Sequence, residues 1–377
     1  RMGKERLKSL FSYKQGDDAR SGLLSRYPAF DPSNFRRVAL IGAATWGAGF
    51  VDTCSDHGID VAGVFDSDPG KQGRDLGGKR ICPVEALSGM DPSVPIVIAS
   101  HRLLSVYDQV KAMGFQNVAS LAVLSVLDPV RFQPHPFYDG LAGDLITHHD
   151  SYESLYDLLS DEKSRVVLDA LIGFRMTLSP DTIRGVIEPS AYFPEDIVHL
   201  GGEEVFVDGG AYSGDTIDAF VSRTKGRFRR ILAFEPDPDT YRKLAAHCEA
   251  DPRILVFNEG LYSRKAGLRF AGMGQRDSMI SDSGPSEISV TSLDSIPESC
   301  ETTFMKLNIE GCEEEALHGA GNLIRNRTPK LAIAVYHRPS DLWKIPSLIH
   351  RLNSSYSLYL RQHDGGIIES VLYALNS

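Results

Sequence analysis

The chain has 377 residues, a formal net charge of −10 and a pI near 5.6, which argues against nucleic acid or an anionic membrane surface as its main partner. Hydrophobic residues make up 42% and charged residues 24%, which excludes a disordered chain and leaves room, at about 150 residues per domain, for two cores. Five scattered cysteines without a Cys-x-x-Cys pair, Cys54, Cys82, Cys248, Cys300 and Cys312, and the lack of any apolar run of about 18 residues, predict a reduced, cytoplasmic protein with no membrane span.

Residues 1–35 read as a loosely packed arm with one short helix. From Arg37 the pattern changes: Val38–Ile41 is an apolar strand, Gly42–Gly49 a turn entering a helix, and Val61–Phe65 a second strand ending in Asp66. Val94–Ser100 is a third, so residues 36–130 are predicted to form a small Rossmann-like α/β domain. Asp66 follows the turn at the spacing of an acid that meets a ribose. Gly42-Ala-Ala-Thr-Trp-Gly47 is nevertheless a degraded fingerprint, with Trp46 where a phosphate needs room, and a structural role is favoured over a bound nucleotide.

Residues 131–190 shift to a helical period, with Leu155, Leu158 and Leu159 and then Val166, Val167, Ala170, Leu171 and Phe174 on helical faces. They form a helical connector, in which Asp161 is placed to cap the second helix. His148 and His149, beside Asp144 and Asp150, lack a third ligand at metal spacing and read as a solvated helix end, so no metal is expected.

Residues 191–377 alternate strands and helices. Strands are predicted at 205–208, 231–235, 254–258, 304–308 and 331–336, helices at 215–224, 238–250, 313–326 and 340–353, and a final strand pair at 357–362 and 370–374. The result is a doubly wound seven-stranded sheet, whose ligands sit at the C-terminal strand ends.

Those ends carry the chemistry. Asp208-x-Gly210-x-x-x-Gly214 is a glycine-dense turn preceded by an acid, an order that suits a ligand bearing positive charge and hydroxyls better than a pyrophosphate. Glu235 ends the next strand, where a carboxylate can accept two hydrogen bonds from a ribose diol, and Pro236-Asp237-Pro238 keeps the following helix from starting early. Asn258, Glu259 and Gly260 are placed for an adenine edge, and the turn through Tyr212, Ser213, Gly214 and Thr216 would face the amino acid and sulfonium end of S-adenosylmethionine. A purely structural role for Asp208 and Glu235 stays open.

Four stretches, Val207-Asp-Gly-Gly-Ala-Tyr-Ser-Gly-Asp-Thr216, Phe234-Glu-Pro-Asp-Pro238, Lys306-Leu-Asn-Ile-Glu-Gly311 and Tyr336-His-Arg-Pro-Ser-Asp-Leu-Trp343, resemble the FkbM-type S-adenosylmethionine-dependent methyltransferases over Tyr192 to Ala374. The resemblance implies a class I methyltransferase fold and O-methylation of a sugar, glycoconjugate or polyketide hydroxyl. One departure stands out: the family's Lys-x-Asp-x-Glu-Gly has Asn308 in place of the acid, and an amide cannot serve as a base.

A general base is therefore sought in His337 or Glu310, against a structural histidine and a helix-capping glutamate respectively. Residues 272–285 read as an inserted loop of the kind that closes over a ligand, where Ser278 is a candidate contact, and Arg276 and Arg338 are candidates for an anionic acceptor. The competing readings are a degenerate methyltransferase-fold binding or regulatory protein, and a nicotinamide-dependent enzyme using the front domain. Homo-oligomerisation stays open.

Overall fold

The computed structural model describes residues 16–271, 279–280 and 286–376. Arg276 and Ser278, with most of the inserted loop, lie outside the described residues. The chain divides into two compact units, one of residues 1–153, 166–187 and 364–368, the other of residues 154–165, 188–363 and 369–377.

The first unit is built on a six-stranded sheet. Its parallel centre runs Asp60–Phe65, Arg37–Ile41, Ile96–Ile98 and Val118–Ser120, flanked by the short strands Lys79–Cys82 and Asp75–Leu76. Beyond residue 16 the N-terminal arm is not loosely packed. Phe30 and Phe35 are both buried, with ring centroids 6.0 Å apart, and Phe35 meets Phe132 edge-on at 6.2 Å. The aromatic side chains hold the segment to the core, a contact invisible in its mixed local composition.

The second unit is a seven-stranded sheet. Its strands, in chain order, are β1 (Val205–Gly209), β2 (Arg230–Phe234), β3 (Ile254–Phe257), β4 (Phe304–Leu307), β5 (Lys330–Ala334), β6 (Tyr356–Gln362) and β7 (Ser370–Asn376). Their spatial order is β6-β7-β5-β4-β1-β2-β3, parallel except for β7, which runs antiparallel to both β5 and β6. Helices α1 (Asp215–Thr224), α2 (Pro238–Cys248), α3 (Glu313–Gly319), α4 (Gly321–Arg327) and α5 (Asp341–Leu352) connect the strands. Helices on both faces require strands that are apolar on both faces, and every residue of β1 and β4 is buried. Phe206 stacks on Phe220 at 4.5 Å, and Phe193 and Phe304 close the same cluster. Phe206→Ala would cost about 3–5 kcal/mol.

The single helix expected over 313–326 is two. α3 ends at Gly319, whose added Cβ would lie 2.0 Å from the carbonyl oxygen of Tyr262, and the chain restarts at Gly321. The break comes from that close backbone approach. Between β3 and β4 a second, four-stranded sheet pairs Ala266–Ala271 antiparallel with Ser286–Thr291, the strands that flank the inserted loop.

The C-terminal strand pair is covered at its edge by residues 159–164. Leu159 bridges Leu358, Ser160 N–H donates to the Leu358 carbonyl, and Ser164 Oγ accepts from Leu360 N–H. Arg361 on β6 is 0% exposed; its guanidinium meets Asp161 at 2.7 Å and Asp196 at 2.8 Å and donates to Ser164 Oγ at 2.9 Å. Asp161 also accepts from Ser164 N–H, capping the helix Glu162–Thr177 as its position predicts. Among the described residues no helix is long and apolar enough to cross a membrane.

Candidate active site

Register brings the chemistry together. Leu307 is paired with Gly209, Gly209 with Phe234, and Phe234 with Phe257, so β4, β1, β2 and β3 all stop on one line. The next residues, Asn308, Gly210, Glu235 and Asn258, therefore share one rim. The turn after β1 depends on its glycines. Gly210 has φ +75, and a Cβ there would lie 2.0 Å from the Asn308 carbonyl oxygen; Gly214, at φ +94, starts α1. Tyr212 is also left-handed, at φ +48, and leaves its ring 48% exposed beside the exposed Ser213, while Thr216 is buried in α1.

Glu235 is buried and held from two sides. Oε2 accepts from Tyr212 N–H at 3.0 Å and Oε1 from Asp237 N–H at 2.9 Å. Burial outweighs these bonds and raises its carboxyl above the ordinary range. A carboxylate has about four lone-pair directions, so each oxygen keeps room for a ligand hydroxyl.

Other predicted residues are committed elsewhere. Asp237 caps α2, its Oδ1 accepting from Thr240 N–H at 2.7 Å. Asn258 donates from Nδ2 to the Glu235 and Pro236 carbonyls, which fixes the rim and leaves its backbone for a ligand. Glu259 lies 4.0 Å from Lys265, and a Cβ on Gly260 would come within 3.6 Å of Pro236.

Asp208 is fully buried and faces Lys306, whose Nζ lies 2.8 Å from Oδ1 and also donates to the carbonyls of Gly209 and Gly210. Burial raises the Asp208 carboxyl even with that ammonium beside it. The pair works as a clamp under the glycine turn. Lys306 has a readable signal in the sequence: a lysine within the apolar run Phe304-Met-Lys-Leu307 needs a buried partner.

Asn308 closes a network of hydroxyls. Its Nδ2 donates to Tyr192 Oη at 2.7 Å, Tyr192 donates to Glu369 Oε2 at 2.9 Å, and Tyr336 donates to Asn308 Oδ1 at 3.3 Å. Burial raises both tyrosines well above their ordinary range, so they stay hydroxyls.

His337 and Glu310 do meet, with Nε2 and Oε2 3.6 Å apart, but His337 is 1% exposed while the Glu310 side chain is 24% exposed. Behind them Glu313 Oε1 lies 2.9 Å from His337 Nδ1. Burial opposes the charge on His337, yet Glu313 and Glu310 hold it up to about 9, so at neutral pH the ring is an imidazolium. Asp341 is pushed up to about 7 by burial and by Glu313. Glu310 does not cap α3: the cap position is Cys312, and the side chain reaching back is Glu313, which accepts from Ile309 N–H at 2.8 Å. Arg338 lies over Gly311, where an added Cβ would come 3.4 Å from its Nε. The pairings of Tyr192 with Asn308 and Glu369, and of Glu313 with His337, had no local signal, since the partners are distant in sequence.

The front turn closes on itself. Asp66 accepts from Ala43 N–H at 2.7 Å, from Asp68 N–H and from Lys71 Nζ, and the Trp46 ring lies 4.5 Å from His135. The acid at the ribose spacing is thus engaged by its own chain.

A family model described as the methyltransferase FkbM domain matches residues 208–364. Among solved structures, the crystal structure of methyltransferase FkbM from Methylobacillus flagellatus KT superposes with a TM-score of 0.73 at 21% identity, covering 99% of this chain and 98% of that one. Precorrin-6y C5,15-methyltransferase from Geobacter metallireducens gives 0.30 at 14% identity, over 46% of this chain and 81% of that one. Aeropyrum pernix fibrillarin, in complex with S-adenosyl-L-methionine, gives 0.28 at 14% identity, over 48% and 71%. No curated protein matches. The full-length superposition shows a shared fold.

Proposed function

We propose, from the match of residues 208–364 to the methyltransferase FkbM domain, that the protein transfers the methyl group of S-adenosylmethionine to a hydroxyl of a sugar, glycoconjugate or polyketide. The observation that carries the reading is Glu235, buried at the end of β2 and aimed by two backbone N–H groups, beside a turn that no Cβ could enter at Gly210.

The residues present fit that cofactor. Glu235 would take the ribose hydroxyls on its free lone pairs, the turn 210–214 the amino acid end, and the backbone of 258–260 the adenine edge. When bound, S-adenosylmethionine supplies a methyl group on a cationic sulfur that becomes neutral on transfer. The Asp208–Lys306 clamp fixes the turn by holding two of its carbonyls. Positioning of this kind gives most of the acceleration in a displacement.

Of the two candidate bases, Glu310 has the more exposed side chain and receives the acceptor's hydroxyl proton, while His337 stands behind it and orients it. Asn308 holds Tyr192 and Tyr336 rather than moving a proton. A cytoplasmic location accords with the five free cysteines.

Calorimetry with S-adenosylhomocysteine tests the reading. Binding by the wild type and its loss in Glu235→Ala support it; a wild type that binds nothing overturns it. Transfer of labelled methyl to a panel of sugar nucleotides, glycans and polyketides then identifies the acceptor.

A further inference from the structure

Below the C-terminal ends of β4 and β5, three side chains from separate parts of the sequence converge without solvent. Glu313 is the first residue of α3, His337 follows β5, and Asp341 is the first residue of α5; they are 0%, 1% and 3% exposed. One ligand atom from each lies within 4.8 Å of the others. Acidic side chains often gather without binding anything, but two further observations apply here.

Glu313 Oε2 is fully buried and has no hydrogen-bond partner, although its sister oxygen is engaged by Ile309 N–H and lies beside His337 Nδ1. A buried carboxylate oxygen without a donor costs about 1–3 kcal/mol or more, and native folds retain such groups where a ligand satisfies them. The ionisable groups are also crowded. Glu313 and Asp341 are two carboxylates facing one imidazole, and Glu310 stands on the ring's other side. Asp341 receives Arg338 N–H on Oδ2, and the Arg338 guanidinium adds a weaker attraction to its charged form. Buried carboxylates grouped around one imidazole are a setting in which proteins place a metal ion.

We propose that Glu313, His337 and Asp341 bind one divalent transition-metal ion, which displaces the ring proton of His337 from Nδ1 into solvent. Two carboxylates and an imidazole favour Mn²⁺, Fe²⁺ or Zn²⁺ over Mg²⁺ and Ca²⁺, which take oxygen ligands. Nδ1 of His337 is the nitrogen facing Glu313, 2.9 Å from its Oε1, which leaves Nε2 directed at Glu310, 3.6 Å away. Metal-bound histidines are commonly oriented through their second nitrogen by an outer carboxylate in this way. The ion would tie the turn after β4 to the loop after β5 and so fix Glu310 at the rim. The site stands apart from the methyl-transfer reading, because metal content is measured with no cofactor or acceptor present.

The full chain, purified without chelator or metal-affinity resin, is analysed by plasma mass spectrometry, then stripped with EDTA and reloaded separately with Mn²⁺ and Zn²⁺ before desalting. The proposal expects about one equivalent per chain from at least one of these ions, a fall in Tm on stripping and its recovery on reloading. Glu313→Gln and Asp341→Asn should each weaken binding at least about tenfold, while Glu204→Gln, remote from the cluster, should not. A wild type that retains less than about a tenth of an equivalent after reloading, with an unchanged Tm, overturns the proposal. Full retention of metal by folded Glu313→Gln and Asp341→Asn also overturns it. If either variant fails to fold, the wild-type loading and Tm measurements decide alone.

Discussion

Asn308 donates from Nδ2 to the Tyr192 hydroxyl, and that hydroxyl spends its own proton on Glu369. The direction of the chain of bonds determines which residue position 308 accepts. An aspartate could only accept, so Tyr192 would have two carboxylates competing for one proton, and a second negative charge would stand near Glu369. Restoring the family's acid is therefore expected to harm this protein. Asn308→Asp should lose about 1–3 kcal/mol in urea unfolding, and less when Tyr192→Phe has already removed the hydroxyl. Equal stability of Asn308→Asp and wild type would refute this account.

Lys306→Met leaves Asp208 as an unpaired buried charge and frees the carbonyls of Gly209 and Gly210. The expected loss is about 3–5 kcal/mol, part of which returns when Asp208→Asn is added, because the stranded charge is then gone. Chemical unfolding of both single variants and the double variant supplies the cycle. Strictly additive losses would contradict the pairing.

Two glycines of the second unit, alike in backbone, should respond differently to alanine. Gly226 has φ +69 with nothing within 4 Å of an added Cβ, so Gly226→Ala should cost only the left-handed penalty of about 1–2 kcal/mol. Gly210, at φ +75, would drive its Cβ into the Asn308 carbonyl, and Gly210→Ala should cost more and also abolish S-adenosylhomocysteine binding. Thermal scans and calorimetry measure both effects; binding retained by Gly210→Ala would count against the turn as a ligand site.

His363 predicts a pH dependence. Burial holds its imidazole down to about 4, where Nδ1 faces the Glu188 carbonyl at 2.6 Å and Nε2 the Tyr373 hydroxyl at 2.8 Å. The unfolded chain titrates near the ordinary value of about 6.5 and so binds more protons over this interval. Stability is therefore intact above about pH 6.5 and falls as pH drops through about 4, by about 3 kcal/mol in all. Unfolding measured at pH 7 and pH 5 should show a slope in the wild type that His363→Gln reduces. Identical slopes would rule His363 out as the source.

Much of the second unit was legible because its signals are local. Val205–Val207 is an apolar run on both faces that ends in an acid, Glu235 is followed by two prolines, and the glycines at 210 and 214 bracket a turn, so strand, rim residue and turn follow from neighbours in sequence. Asp237 could be read as either a ligand or a cap, and only its bond to Thr240 N–H decides. The break at Ala320 depends on the Tyr262 carbonyl, and the grouping of Glu313 with Asp341 depends on how α3 and α5 meet, both consequences of tertiary packing. Periodicity carries no information about such distant partners.

Arg361 has a consequence for how such a chain can be inherited or dissected. Its buried guanidinium is neutralised by Asp161 and Asp196, which lie on either side of a stretch, 166–187, that belongs to the other unit. A fragment beginning at the family match would keep the arginine and discard both counterions, leaving an orphan cation inside β6. No single cut of the gene yields two self-sufficient halves, because the polypeptide visits the second unit, leaves it and returns. Recombination that exchanges catalytic parts among relatives would have to carry residues 154–165 along with them, which binds the fate of the front portion to that of the back.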